Sequence, residues 1–161
     1  ELERLQALYE LDLQYSDYKK TAARVISKDT GGWFQVFYVD KGTDDGVVEG
    51  CNVMYGNGLC GIVTEAGKNY AKVRAIIDDT SNVNGMILPS EAICNVEGSA
   101  SNYENGYLIA ENIDKDAEVG VGDQVVTSYV SSKYLSGINI GYVTKIEEDN
   151  MHGLMYRRRK K

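Results

Sequence analysis

Thr127-Ser128, in the stretch VGDQVVTSYVSSKYLSGINIGYVTKI (121–146), is the pair whose side chains could supply a nucleophile. A serine hydroxyl attacks a carbonyl only when a base, nearly always His, lies within hydrogen-bond reach and is oriented by a third group. The sequence holds one histidine, His152, in MHGLMYRRRKK, just before the five basic residues Arg157 to Lys161. Nothing in that context after the last recognisable strand would hold an imidazole against Ser128. Lys133 is the other base on offer, but its polar neighbours give no reason for the depressed pKa that a catalytic lysine needs. The first reading of Thr127-Ser128 is therefore a corner in a β-barrel. A trypsin-like or other β-barrel hydrolase is the alternative.

Paired carboxylates are the next candidates, since two of them can hydrolyse a glycoside on a β scaffold. Asp44-Asp45, Asp78-Asp79 and Glu147-Glu148-Asp149 all fall among turn residues at strand ends, where a carboxylate stays solvated and lacks the burial a catalytic acid requires. DDTSN (78–82) has oxygen ligands without the alternation or the bidentate acid of a calcium loop. Cys51, Cys60 and Cys94 form an odd set without a CxxC pair, which excludes a zinc ribbon and reads as three small apolar residues in strands. No metal and no cofactor is expected. With 24 acidic against 17 basic residues the chain carries a net charge of -7, which repels a phosphate backbone and sets nucleic acid aside.

The elements that must position these residues are mostly strands. ELERLQALYEL places Leu2, Leu5, Leu8 and Tyr9 on one stripe of a helix, too short to stand alone, and reads as the end of a coiled coil cut by the fragment boundary. Helical periodicity does not return after Leu11. Ten short apolar runs follow: TAARVIS, WFQVFYV, CNVMY, GLCGIVTEA, YAKVRAII, NGMIL, AICNVEG, GYLIA, QVVTSY and INIGYVTKI. Bounded by Gly, Asn, Asp and Ser, they predict an all-β barrel or sandwich, with Asn57-Gly58 as the strongest hairpin signal. An internal echo joins 46–65 to 119–145. In each, a glycine (Gly50, Gly122) precedes a strand, and Gly-x-Val-Thr (Gly61 to Thr64, Gly141 to Thr144) carries the next. The second copy has eight more residues in its loop, and the echo predicts two related β-subdomains. Twelve tyrosines, among them Tyr103, Tyr107, Tyr129 and Tyr134 at polar or loop positions, suit either an interaction surface or half-buried strands.

Together these segments resemble the extracytoplasmic part of the rod shape-determining MreC family. The carriers are ELERLQAL, then ARVISKDTGGWFQVFYVDKGTDDGVVEGCNVMYGNGLCGIVTEAG, VRAIIDDTSNVNGMI, and DAEVGVGDQVVTS followed by LSGINIGYVTKI. The resemblance implies a mainly β chain: the end of a coiled-coil helix over 1–14, a first β-barrel subdomain over 15–110, with exchange of strands into the second left open, and elements of a second β-barrel subdomain over 111–150; the residues of 151–161 read as a tail. It implies a non-catalytic scaffold of the elongation machinery in peptidoglycan synthesis, in a membrane protein with a single transmembrane helix and this region outside the cell membrane. Its expected partners are a second copy as homodimer or filament, a class B penicillin-binding protein, MreD and MreB. Dimerisation carries over to Leu2, Leu5, Leu8 and Tyr9. The sequence departs from the family at Tyr129, where Gly is usual, and at Tyr134-Leu135, where an aromatic-Pro pair is usual. Tyr129, Tyr134 and Leu135 are accordingly the candidate partner-contact loop, and MHGLMYRRRKK does not read as the last apolar strand the family normally has.

Overall fold

A computed structural model describes residues 2, 3, 5, 6, 9, 15, 18–28 and 35–147, and the backbone of 154–157. Strands β1 (Val25–Lys28), β2 (Val36–Val39), β3 (Asn52–Tyr55), β4 (Gly58–Ala66) and β5 (Ala71–Ala75) form one antiparallel sheet in the order β1-β2-β5-β4-β3. Strands β6 (Asn82–Leu88), β7 (Ala92–Glu97), β8 (Leu108–Glu111), β9 (Gln124–Thr127), β10 (Asn139–Ile146) and β11 (Leu154–Arg157) close a barrel in the order β10-β11-β8-β7-β6-β9. Each of the ten apolar runs read in the sequence holds one of β1 to β10. Alternation decides the faces: β5 reads buried-half-buried over AKVRA, and β6 turns Val83, Gly85 and Ile87 inward. Leu59, Ile76, Ile87, Leu108, Ile138 and Ile140 are fully buried in one core shared by both sheets. Each such side chain contributes about 1.5–3 kcal/mol by leaving water.

Four expectations change. The border between the two sheets falls at residues 76–81, because β6, β7 and β8 pair with one another, with β9 and with β11, not with β1 to β5; a division at residue 110 would cut the barrel. The tail reading of 151–161 gives way over 154–157, where β11 pairs with both β10 and β8 and closes the barrel. Without it, two strand edges would carry unpaired backbone groups. A short α-helix, α1 (Ala100–Glu104), and a 3-10 turn at Thr43–Asp45 interrupt the strands, with Ser99 Oγ accepting the Asn102 N–H at 3.1 Å as the cap of α1. Finally, Asn57-Gly58 does lie at a hairpin, but Tyr55 pairs with Gly58, so the two-residue turn is Gly56-Asn57. Gly56 takes the positive φ, 64°, at the first central position, as a type II′ turn requires.

The sequence echo is a structural repeat. Val53 pairs with Gly61 and Met54 with Leu59, bulging at Cys60; Val125 pairs with Gly141 and Val126 with Asn139, bulging at Ile140. A second bulge follows at Thr64 against β5 and at Thr144 against β11. Gly50 N–H donates to Val63 O (2.9 Å) and Val63 N–H to Cys51 O (2.9 Å), as Gly122 does to Val143 O (2.8 Å) and Val143 to Asp123 O (2.9 Å). Gly50 and Gly122 enter these strands at φ 94° and 97°. Only the acceptor within the entry turn differs: Cys51 Sγ takes the Val48 N–H at 3.4 Å, and Asp123 Oδ2 takes that of Gly120 at 2.8 Å.

Candidate partner-binding loop

Thr127 and Ser128 end β9 at the mouth of the long loop. Thr127 is fully buried, and its backbone pairs with the far side of the loop: its N–H donates to Ile138 O (2.8 Å) and Gly137 N–H donates to its O (2.9 Å). Its hydroxyl accepts the Ile138 N–H at 2.8 Å and donates to Leu135 O. Ser128, 1% exposed, accepts the Val130 N–H on Oγ at 3.0 Å and donates its own N–H to Asn84 O at 2.9 Å. Both hydroxyls are therefore spent on holding the loop, and the serine is a corner residue with its oxygen turned into its own turn. His152 lies outside the described residues. Lys133 Nζ sits 5.6 Å over the Tyr134 ring.

The loop itself, 128–137, is pinned from the first sheet as well. Asn52, on β3, accepts the Leu135 N–H on Oδ1 at 2.7 Å and donates from Nδ2 to Lys133 O at 3.4 Å. Between these grips Tyr134 turns inward and is 4% exposed. Tyr134 was expected on the contact surface; burial makes it an anchor instead. Its hydroxyl lies toward Ser81 and Arg74 without a hydrogen bond of good geometry, and Arg74 Nε is likewise buried and unpaired. Burial raises the phenol's pKa, with Ser81 and the Arg74 charge working against that rise. What the loop presents outward is Tyr129 (73% exposed), Val130 (61%) and Leu135 (43%). Val130 was missed in the sequence, although an apolar residue between Tyr129 and a run of serines was the signal. Asn52 was missed too, because a polar residue at the start of an edge strand looks unremarkable.

The other candidates have structural employment. Asp45 Oδ2 accepts the Gly42 N–H at 3.3 Å, Asp78 accepts from the Thr80 N–H and hydroxyl, and Asp79 Oδ1 accepts the Ala100 N–H at 3.0 Å. Glu147 pairs with Lys145 at 2.6 Å; Glu148 and Asp149 lie outside the described residues. No group of three metal-binding side chains occurs among the described residues. Cys51, Cys60 and Cys94 are in no disulfide, and burial pushes the thiol pKa of Cys94 up to about 12. Leu2, Leu5 and Tyr9 have helical backbone and are exposed, whereas Leu8 lies outside the described residues; these discontinuous positions delineate no coiled coil. No described helix is long and apolar enough to cross a membrane.

The family model for the barrel core of the rod shape-determining protein MreC matches residues 25–157, from the first strand to the last. The chain belongs to the MreC family. Among the curated relatives, cell shape-determining MreC of Listeria monocytogenes is 32% identical over 139 residues, 84% of this chain and 46% of that protein. MreC of Haemophilus influenzae is 25% identical over 150 residues, 93% of this chain and 42% of that protein. The chain thus spans somewhat less than half the length of these MreC relatives. Crystalline MreC of Pseudomonas aeruginosa has the same fold at 21% identity, with a TM-score of 0.75 over 87% of this chain and 92% of that one. A solved complex between penicillin-binding protein PBP2 and MreC of Helicobacter pylori contains the fold at 18% identity and a TM-score of 0.67, over 86% of this chain and 85% of that one.

Proposed function

We propose that this chain is the head of a non-catalytic scaffold in the cell-elongation machinery, placed outside the cell membrane, self-associating and binding a peptidoglycan synthase. The observation that carries this reading is family membership over the whole barrel core, joined to a fold shared with the Helicobacter pylori complex of PBP2 and MreC. A class B penicillin-binding protein is the partner of choice, with MreD and MreB on the membrane and cytoplasmic sides of the assembly. Tyr129 and Leu135 are the contact residues within the loop, with Tyr134 holding them in place. Leu2, Leu5, Leu8 and Tyr9 are the dimer stripe. Such a scaffold needs no chemistry: a partner that prefers one conformation of a synthase shifts its population by the difference in affinity.

Photo-crosslinking amino acids placed at Tyr129 and Leu135 in growing cells test the loop. Capture of a class B penicillin-binding protein is expected, and an absence of that product at both positions, with the protein expressed and folded, refutes the assignment. Replacing Leu5 and Leu8 together by Lys should convert dimer to monomer in sedimentation of a chain that includes the upstream coiled coil. Covalent labelling of Ser128 by a serine-directed phosphonate would overturn the non-catalytic reading.

A further inference from the structure

The segment that leads into the head is fastened to the second barrel before the chain begins the first sheet. Tyr15 is 6% exposed within the shared core, and the Asn139 N–H donates to its hydroxyl at 3.2 Å. Tyr18 N–H donates to Tyr15 O at 3.2 Å, and its hydroxyl reaches Ser136 O at 3.4 Å. Both partners are more than a hundred positions downstream, with sequence separations of 124 and 118. Residues 19–23, which follow, are exposed and without regular secondary structure; Arg24, bonded through its N–H to Asp40 Oδ1 (2.8 Å) and through its O to the Asp40 N–H (3.0 Å), then leads into β1. An exposed irregular connection of this kind is a natural hinge. Tyr15 and Tyr18 bypass it, and the backbone they grip at 136 and 139 flanks the loop that presents Leu135.

We propose that Tyr15 and Tyr18 are a strap that couples the orientation of the segment preceding residue 15 to the conformation of loop 128–137. The tether then bears directly on the second barrel and its exposed apolar loop, and not by way of residues 19–23 and the first sheet. Such coupling is reciprocal: whatever binds and reshapes the loop turns the tether, and whatever turns the tether reshapes the loop. The proposal needs no particular partner and stands apart from the choice of synthase made above.

The test uses the chain with Cys51 and Cys60 changed to Ser and Cys94 to Ala, spin-labelled through cysteines at Gln6 and Glu118, and read by double electron–electron resonance. A single narrow distance is expected with both tyrosines present, broadened at least about twofold in Tyr15→Ala/Tyr18→Ala, the spread an untied hinge would give. An unchanged distribution overturns the strap. Tyr15→Phe/Tyr18→Phe removes only the hydroxyls and covers the event that the alanine variant fails to fold. In that variant the Asn139 amide should exchange its hydrogen about tenfold faster, the factor for roughly one net hydrogen bond, and the Leu135 amide should follow it. Acceleration at Asn139 with Leu135 unmoved would refute the coupling, and no change at either would refute the strap.

Discussion

Thr127→Val keeps the shape of a fully buried side chain and removes only the oxygen that joins the two ends of the long loop. The Ile138 N–H, in the core, is left without its side-chain acceptor, at about 1–3 kcal/mol for an unsatisfied buried donor. Leu135 O loses a donor but sits beside a 43% exposed side chain, so water replaces part of that bond. The expected loss is about 2–4 kcal/mol in all. Thr127→Ser retains the hydroxyl and should cost about 1 kcal/mol, the value of the missing methyl group. Asn52→Ala removes the other grip on the same loop, where solvent can substitute, at about 1 kcal/mol. If the loop is held as one unit, the double variant should be less destabilised than the sum by about 0.5–1 kcal/mol, because the first loss already frees what Asn52 holds. Urea unfolding followed by far-ultraviolet circular dichroism measures all four proteins. A Thr127→Val loss below about 0.5 kcal/mol, equal losses for the Val and Ser variants, or strict additivity with Asn52→Ala would refute the reasoning.

Burial holds the Cys94 thiol protonated up to about 12 against 9.0 for the free group, so between these values the folded protein keeps a proton that the unfolded chain releases. Stability is therefore lost as pH rises through that window, by about 1.4 kcal/mol per unit at most, and urea midpoints should fall more steeply from pH 8 to 10.5 in the parent than in Cys94→Ala; equal slopes would sink this account. Tyr134→Phe removes a hydroxyl that has no good partner and should be neutral or stabilising by up to about 1 kcal/mol, whereas Tyr134→Ala should cost about 3–5 kcal/mol, both read from thermal unfolding; a clear loss in the Phe variant would show that the hydroxyl is bonded. Gly61→Ala would put a Cβ 2.3 Å from Arg74 O and 2.9 Å from the Ala75 Cα, both backbone, so β4 and β5 must separate. It should cost about 3 kcal/mol or more, and a melting temperature within a degree of the parent would refute the close approach.

The strands were legible because their signal is local: alternation in AKVRA and turn residues at each end mark β5 without reference to its neighbours. Partnership was less legible. NGMIL, AICNVEG and GYLIA precede the second echo in sequence, so they read as part of the first subdomain, yet β6 finds its mates in β7 and β9. The echo held the means of correcting this. Thr64 and Thr144 occupy equal places, and after Thr64 comes β5, so a strand was due after Thr144; the basic residues beside LMYR hid it. At the loop, departure from the family pattern picked out Tyr129, Tyr134 and Leu135, but it could not tell an outward tyrosine from an inward one. Tyr134 is turned in by Asn52, eighty-two positions upstream, and no local pattern carries that information.

The repeat also explains why the loop is the place to expect function. In the first copy Tyr55 pairs with Gly58 and two residues, Gly56-Asn57, complete the hairpin. In the second, Thr127 and Ile138 stand in the same places, joined by the Thr127 N–H to Ile138 O, with ten residues between them. Equal register on both sides shows that the hairpin needs only two residues to close, so the other eight are not required for that turn, although one of them, Tyr134, joins the core. A segment of that kind would ordinarily remain loose, since ordering a residue costs about 1–2 kcal/mol of backbone entropy. Here it is tied by two buried hydroxyls, by a carboxamide from the other sheet and by a buried tyrosine. Ordering a loop longer than the hairpin requires makes sense if its outer face must be presented in one shape, because a preorganised surface binds without losing that entropy again. The outer face is Tyr129, Val130 and Leu135.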